Sequence, residues 1–261
     1  MLIGKHVDAV SGICTADADS ITVRGRDLCG DLMGRLTFTE YFYLLVTGRE
    51  PTPQQRDFLD LLLVAIAEHG LTPTAVAARM TYDADPQSLQ SAVAAGILGC
   101  GPVVLGTSEL CGRLLTEAQA RIDEGESVAE VTRAIATETR RSGGKMPGFG
   151  HPLHRPVDPR TQRILSLAAE RGVSGPYVAL SRAFEAAVAE AWGRPLPMNV
   201  SMPMAAVMLD LGFPAAMIKA IPLLARTGGL LAHLAEEQKS QIGFLMASHA
   251  EEAISYEPSH E

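Results

Sequence analysis

Apolar positions recur at helical spacing along most of this chain, and no stretch shows the strict alternation of a half-buried strand. Residues 1–25 read as loop, because Gly4, Gly12, Asp17, Asp19 and Gly25 break any period. A helix is predicted from Thr39 to Val46, with Thr39 as its cap, Glu40 favouring the first turn and Gly48 ending it. Pro51-Thr52-Pro53 opens a second helix through Phe58, Leu59, Leu62, Leu63 and Ile66, closed by His69-Gly70. Thr72-Pro73-Thr74 opens a third. Ser88 to Leu98 is almost wholly apolar and predicts a helix buried on every side. Further helices are predicted over Leu110–Asp123, Val128–Thr137, Thr161–Glu170, Pro176–Trp192, 201–211, 215–225, Gly228–Gln238 and Ser240–Ala250. No internal repeat appears, and the predicted fold is all-α.

Composition narrows the function classes. Of the 261 residues, 47% are hydrophobic and only 5% aromatic, and the net charge is −8. An acidic chain without a basic stripe excludes nonspecific nucleic-acid binding. The apolar runs, such as Leu59 to Ala67, are too short to span a bilayer, and no signal peptide is recognisable. Cys14, Cys29, Cys100 and Cys111 form no CxxC pair and lack zinc-ligand spacing to a histidine, so they read as reduced thiols and no metal is implied. The expectation is a soluble cytoplasmic protein.

The chemistry concentrates in residues 143–160, GGKMPGFGHPLHRPVDPR, where four glycines and four prolines fall among two histidines and three cations. Glycine lets backbone approach a ligand and proline holds the loop's shape. Such a loop suits an anionic ligand.

Gly148-Phe149-Gly150-His151 followed by Asp158-Pro159-Arg160 resembles the most specific signature of the citrate synthase superfamily. Gly30 to Pro53, Glu68 to Thr74, Asn199-Val200-Ser201 and Ala225 to His233 resemble four further family motifs, in the family's order. The short length resembles the compact citryl-CoA lyase branch, similar to the lyase module of ATP-citrate lyase. The resemblance implies an all-helical homodimer or higher homo-oligomer. It implies a large domain of residues 1–106 and 201–261, and a small mobile domain, 107–200, that binds coenzyme A. It also implies His151 as the acid/base at the substrate oxygen. Arg160, Arg226 and His69 would then contact the carboxylates of a small di- or tricarboxylic acid such as oxaloacetate. Gly148, Phe149, Gly150, Leu153 and Arg155 would hold acyl-CoA. His154 is not required by the family pattern, His233 reads as packing within its helix, and His6, His249 and His260 read as peripheral.

Two positions depart from that pattern. Gly101-Pro102-Val103-Val104-Leu105-Gly106 places Val104 where the family has a histidine that stabilises the thioester enol. Ser201 stands where the family has the aspartate that moves the α-carbon proton. A serine hydroxyl has no useful basicity unless activated. Ordinary citrate synthase activity is therefore not expected, and Glu109 is a candidate replacement acid. The expectation is a citryl-CoA lyase-like enzyme with His151 and Ser201 at the reacting centre. The competing expectation is a non-catalytic or regulatory acyl-CoA-binding relative.

Overall fold

In the computed structural model of the chain, which describes residues 9–258, the N-terminal segment expected as loop carries a small antiparallel sheet. Its strands are β1 Cys14–Ala16, β2 Ile21–Val23 and β3 Arg26–Asp27, in that order, with Thr22 opposite both Thr15 and Asp27. Arg24 and Gly25 join β2 to β3 at positive φ, 51° and 79°, the twist that a two-residue hairpin needs. Strands of two and three residues are too short to show alternation, so the apolar pattern misses them. Val23, Leu32 and Leu44 bury together beneath. Helix α1 Phe38–Thr47 is capped by Thr37 rather than Thr39. Thr37 and Glu40 form a reciprocal capping box, and Gly48 ends the helix in the left-handed region at φ 77°.

Helix α2 Pro53–Ala67 contains the boundary between two compact units, Met1–Asp60 and Leu61–Glu261. In the second unit, α3 Pro73–Ala84, α4 Leu89–Leu98 and α10 Ala220–Glu237 pack together around Ala75, Ala78, Tyr82, Ala92, Leu230 and Leu234. Helices α5 Thr107–Asp123, α7 Pro159–Glu170 and α8 Pro176–Trp192 pack on α9 Ser201–Asp210, while α6 Val128–Arg141 packs on α8. Helix α11 Gly243–Ala253 packs on α3.

Three expectations need correction. Helix α4 is not buried all round: only Ala92 and Gly96 are buried, and Leu98 is 86% exposed. The enclosed helix is α9, buried at every residue from Met202 to Met208. Gly228-Gly229 does not separate two helices, because α10 runs unbroken through it. A Cβ on Gly229 would sit 2.1 Å from the Ala67 carbonyl oxygen, so glycine there serves close packing and not termination. Residues 215–237 are long and apolar enough to cross a bilayer by length and composition alone, with mean hydropathy 1.3. Within this fold Ile221, Ala225, Leu230 and Leu234 of that segment are buried.

Candidate active site

The glycine- and proline-rich stretch is an ordered loop between α6 and α7. Gly148 has φ +78°, and a Cβ there would lie 2.7 Å from Met202 Cβ and 2.9 Å from Cys111 Sγ. Phe149 is buried and pairs with Met198 as an isolated bridge. The Gly150 N–H donates to the Pro197 carbonyl (2.7 Å), the Asn199 N–H to the Gly148 carbonyl (2.8 Å), and Asn199 Nδ2 to the Gly150 carbonyl (3.0 Å). These bonds stitch the loop to the segment before α9. His151 and Ser201, the first residue of α9, thereby border one cleft.

Asp158 is fully buried and fixes the next part of the site. Oδ1 caps α7 by accepting the Arg160 N–H (3.0 Å) and also accepts Arg160 Nε (3.1 Å). Oδ2 accepts Arg160 Nη2 (2.9 Å) and the Val200 N–H (3.3 Å). Burial alone would raise the Asp158 carboxyl, but the hydrogen bonds and charge of Arg160 hold it below the ordinary range. The guanidinium so oriented places Nη2 3.5 Å from His151 Nε2. His151 Nδ1 accepts two backbone N–H groups, Leu153 (3.1 Å) and His154 (2.9 Å).

His69 lies on the connection between α2 and α3. Glu68 Oε1 accepts the backbone N–H of His69 (2.7 Å) and Gly70 (2.9 Å), shaping that turn. Arg226, nearly fully buried in α10, donates to Thr72 Oγ1 (3.2 Å) and the Ile66 carbonyl (3.3 Å), with Glu68 4.0 Å away. Burial pulls the Arg226 guanidinium below its ordinary value, partly offset by Glu68. His233 does more than pack within its helix. Its Nε2 meets Glu68 Oε2 at 3.0 Å, and its Nδ1 accepts Arg79 Nε at 2.9 Å. Arg79 in turn is ion-paired with Glu236 and the fully buried Glu237.

All ten residues singled out above border a single cleft of about 860 Å³: His69, Gly148, Phe149, Gly150, His151, Leu153, Arg155, Arg160, Ser201 and Arg226. Lys145, Thr72, Val104 and Asn199 line it too. No Asp or Glu is among the described residues lining it, so the charged side chains on its wall, Lys145, Arg155, Arg160 and Arg226, are all cationic, with Asp158 and Glu68 behind the last two. A smaller cleft of about 450 Å³, bordered by Arg155, Glu185 and Arg194, opens beside the same loop and shares Gly150 and His151. Glu109 is not on the large cleft. It pairs with Arg113 (2.5 Å) and Lys219 (3.8 Å), and the Arg113 bond holds its carboxyl low, which unsuits it as a replacement acid. The signal missed in the sequence was the carboxylate beside each motif: Asp158 as an N-cap before Pro159, and Glu68 before His69.

One ring nitrogen from each of His69, His151 and His154 lies within 4.8 Å of the others. Zinc–nitrogen bonds of about 2.0–2.1 Å would need these rings to close in. A metal on His151 would compete with the two N–H groups if bound at Nδ1, or sit beside the Arg160 charge if bound at Nε2. The donor set fits an anionic oxygen and not a cation. Burial first and Arg160 second lower the His69 pKa; burial first and His154 second lower that of His151. Both imidazoles are therefore neutral near neutral pH.

A mainly helical chain whose cleft gathers the imidazoles of His69 and His151 and the guanidiniums of Arg160 and Arg226 beside a glycine-rich loop has the architecture and the site chemistry of one family. The chain belongs to the citrate synthase family: the citrate synthase C-terminal domain matches residues 22–243. It is 29% identical to the citrate synthase of Deinococcus radiodurans over 208 residues, covering 77% of this chain and 52% of that one. The chain spans about half the length of the curated relatives it matches. The citryl-CoA lyase of Hydrogenobacter thermophilus superimposes with a TM-score of 0.84 at 27% identity, covering 98% of this chain and 96% of that one. The ATP citrate lyase of Methanothrix soehngenii, solved with citrate and coenzyme A, shares the fold with a TM-score of 0.76 at 20% identity, covering 99% of this chain and 43% of that one.

Proposed function

We propose that this protein is a carbon–carbon lyase of the citryl-CoA lyase type. It cleaves, or in reverse forms, the bond between an acyl-CoA enolate and a 2-keto acid such as oxaloacetate. The carrying observation is the 3.5 Å approach of Arg160 Nη2 to His151 Nε2 at a cationic cleft. Two donors so close are electrostatically unfavourable in isolation, and an oxyanion or carboxylate oxygen between them satisfies both. Arg160, Arg226 and His69 face the keto acid in this reading. Gly148, Phe149, Gly150, Leu153 and Arg155 hold coenzyme A, which enters as part of the substrate. We further propose a large domain of residues 1–106 and 201–261 beside a small coenzyme A domain, 107–200. A cytoplasmic homodimer is part of the same reading; exposed Leu98 and Val103 near the end of α4, and four free thiols, support it.

Val104 and Ser201 stand on the cleft wall where the resemblance implies an enol-stabilising histidine and a proton-moving aspartate. Synthesis retraces the steps of cleavage, so proton transfer at the α-carbon is slowed in both directions, and in the lyase reading water protonates the enolate. The same two residues support a second reading, an acyl-CoA-binding relative without turnover. Incubating the purified protein with citryl-CoA separates the two. The lyase releases oxaloacetate and acetyl-CoA, while the binder takes up coenzyme A thioesters and leaves a panel of them intact.

A further inference from the structure

Glu68 does not line the large cleft, yet it serves two residues that do. Its Oε1 shapes the turn that carries His69 and lies 4.0 Å from Arg226 Nη1. The side chain is 45% exposed, and a glutamate so exposed ordinarily samples several rotamers. Two backbone N–H groups hold Oε1 in place. Oε2 has His233 Nε2 at 3.0 Å, an ion–dipole contact rather than an aligned hydrogen bond. Burial would raise the Glu68 carboxyl, but the His69 N–H, His233 and Arg226 hold it below the ordinary range, so it is charged at neutral pH.

What His233 turns toward Glu68 is decided on the far side of its ring. Arg79 Nε donates to His233 Nδ1 at 2.9 Å. A guanidinium offers only donors, so Nδ1 carries the lone pair and the ring hydrogen sits on Nε2, facing the carboxylate. Arg79 is itself immobile: only 1% of its side chain is exposed, and its two Nη atoms pair with Glu236 and Glu237. Glu237 is fully buried, and its Oε1 also accepts the Ile242 and Gly243 N–H groups (2.5 and 2.8 Å) where α11 begins. A line of fixed donors and acceptors thus runs Glu237–Arg79–His233–Glu68, drawing on α10, α3 and the turn before α3.

We propose that His233 is a positioning residue of this site: held by Arg79, it fixes the Glu68 carboxylate, and through it the His69 turn and the surroundings of Arg226. The proposal rests on the lyase reading above, in which His69 and Arg226 face the keto acid, and deepens it. His233 touches no substrate, since it is not on the cleft wall. Its influence is confined to one end of the cleft. Among the described residues, no hydrogen bond or ion pair links this line to Gly148, Phe149, Gly150, Leu153 or Arg155, which hold coenzyme A in the same reading. A merely structural role would weaken every ligand alike, whereas a positioning role weakens the keto acid alone.

The test titrates the full chain calorimetrically with oxaloacetate and, separately, with coenzyme A. The proteins are wild type, His233→Leu, His233→Gln, Glu68→Gln and the double variant His233→Leu/Glu68→Gln, with thermal unfolding followed for each. His233→Leu keeps the bulk and loses both polar atoms, so oxaloacetate affinity should fall roughly tenfold while coenzyme A affinity stays unchanged. His233→Gln, whose amide offers an acceptor to Arg79 and a donor to Glu68, should recover most of that loss. In the Glu68→Gln background His233→Leu should add nothing further, because its effect passes through the missing carboxylate. Should His233→Leu not fold, His233→Asn, which reaches Arg79 but falls short of Glu68, carries the same expectations. Nitrogen-15 shifts should show His233 protonated on Nε2 alone. Unchanged oxaloacetate affinity in the folded variant overturns the proposal and leaves the lyase reading standing. So do parallel losses of both ligands, or losses that multiply in the double variant. A wild type that binds coenzyme A but no oxaloacetate overturns both.

Discussion

Asp158 grips Arg160 through both carboxylate oxygens, Oδ1 to Nε at 3.1 Å and Oδ2 to Nη2 at 2.9 Å, while the same carboxylate caps α7 and receives the Val200 N–H. A single buried group thus ties the catalytic loop, the start of α7 and the start of α9 to one guanidinium. Asp158 touches no substrate in this account; it positions a residue that does.

Asp158→Ala should therefore cost more stability than a surface ion pair. Breaking a buried pair by removing one partner costs about 3–5 kcal/mol, and the lost cap adds about 1 kcal/mol. Urea unfolding measures the sum. The pH dependence has a definite sign. The folded-state pKa of Asp158 is depressed, so its contribution is complete above the unfolded value of about 3.9 and is lost as pH falls through the lower folded value. The difference between wild type and variant should accordingly shrink only in strongly acidic solution.

Gly148→Ala should disrupt the loop without touching any titratable group. Alanine at φ +78° is strained by about 1–3 kcal/mol, and its methyl would meet Met202 and the buried Cys111. Coenzyme A affinity measured by calorimetry should fall along with thermal stability. Unchanged affinity would place the thioester elsewhere.

Glycine shows how far sequence pattern carries. The left-handed glycines Gly48 and Gly193 end α1 and α8 where the pattern puts those ends, because a left-handed cap is a local event. Gly228-Gly229 looks the same in sequence, yet α10 continues through it, since the approach of Ala67 is a tertiary fact. The cleft residues of 143–160 were legible from that loop's own composition, and His69, Ser201 and Arg226 through motif resemblance; none was legible through periodicity. His233 carried no such signal for its role, because its partners Arg79 and Glu68 come from remote parts of the chain.

Ser201→Asp should restore a carboxylate to a cleft wall that has none among its described residues. A positioned base contributes roughly 10²–10⁴-fold to proton transfer. Acetyl-CoA incubated in deuterium oxide with the variant and oxaloacetate should exchange its methyl protons, followed by proton NMR, while wild type should leave them in place. Rapid exchange by wild type would mean that another group already performs this step.

Glu68→Gln should loosen His69 and Arg226 together, since Glu68 orders the backbone of one and lies 4.0 Å from the other. The amide can still accept from the backbone but carries no charge opposite His233 and Arg226. Weaker binding of the keto acid, with coenzyme A affinity unchanged, is the expected pair of titrations.

The central claim concerns one oxygen between two side chains, and a crystal structure of the protein with coenzyme A and citrate addresses it most directly. The account predicts a citrate oxygen within hydrogen-bond distance of both His151 Nε2 and the Arg160 guanidinium, with Ser201 facing the thiol end of coenzyme A. Citrate bound away from this pair, or the two side chains drawn apart with no ligand oxygen between them, would contradict it.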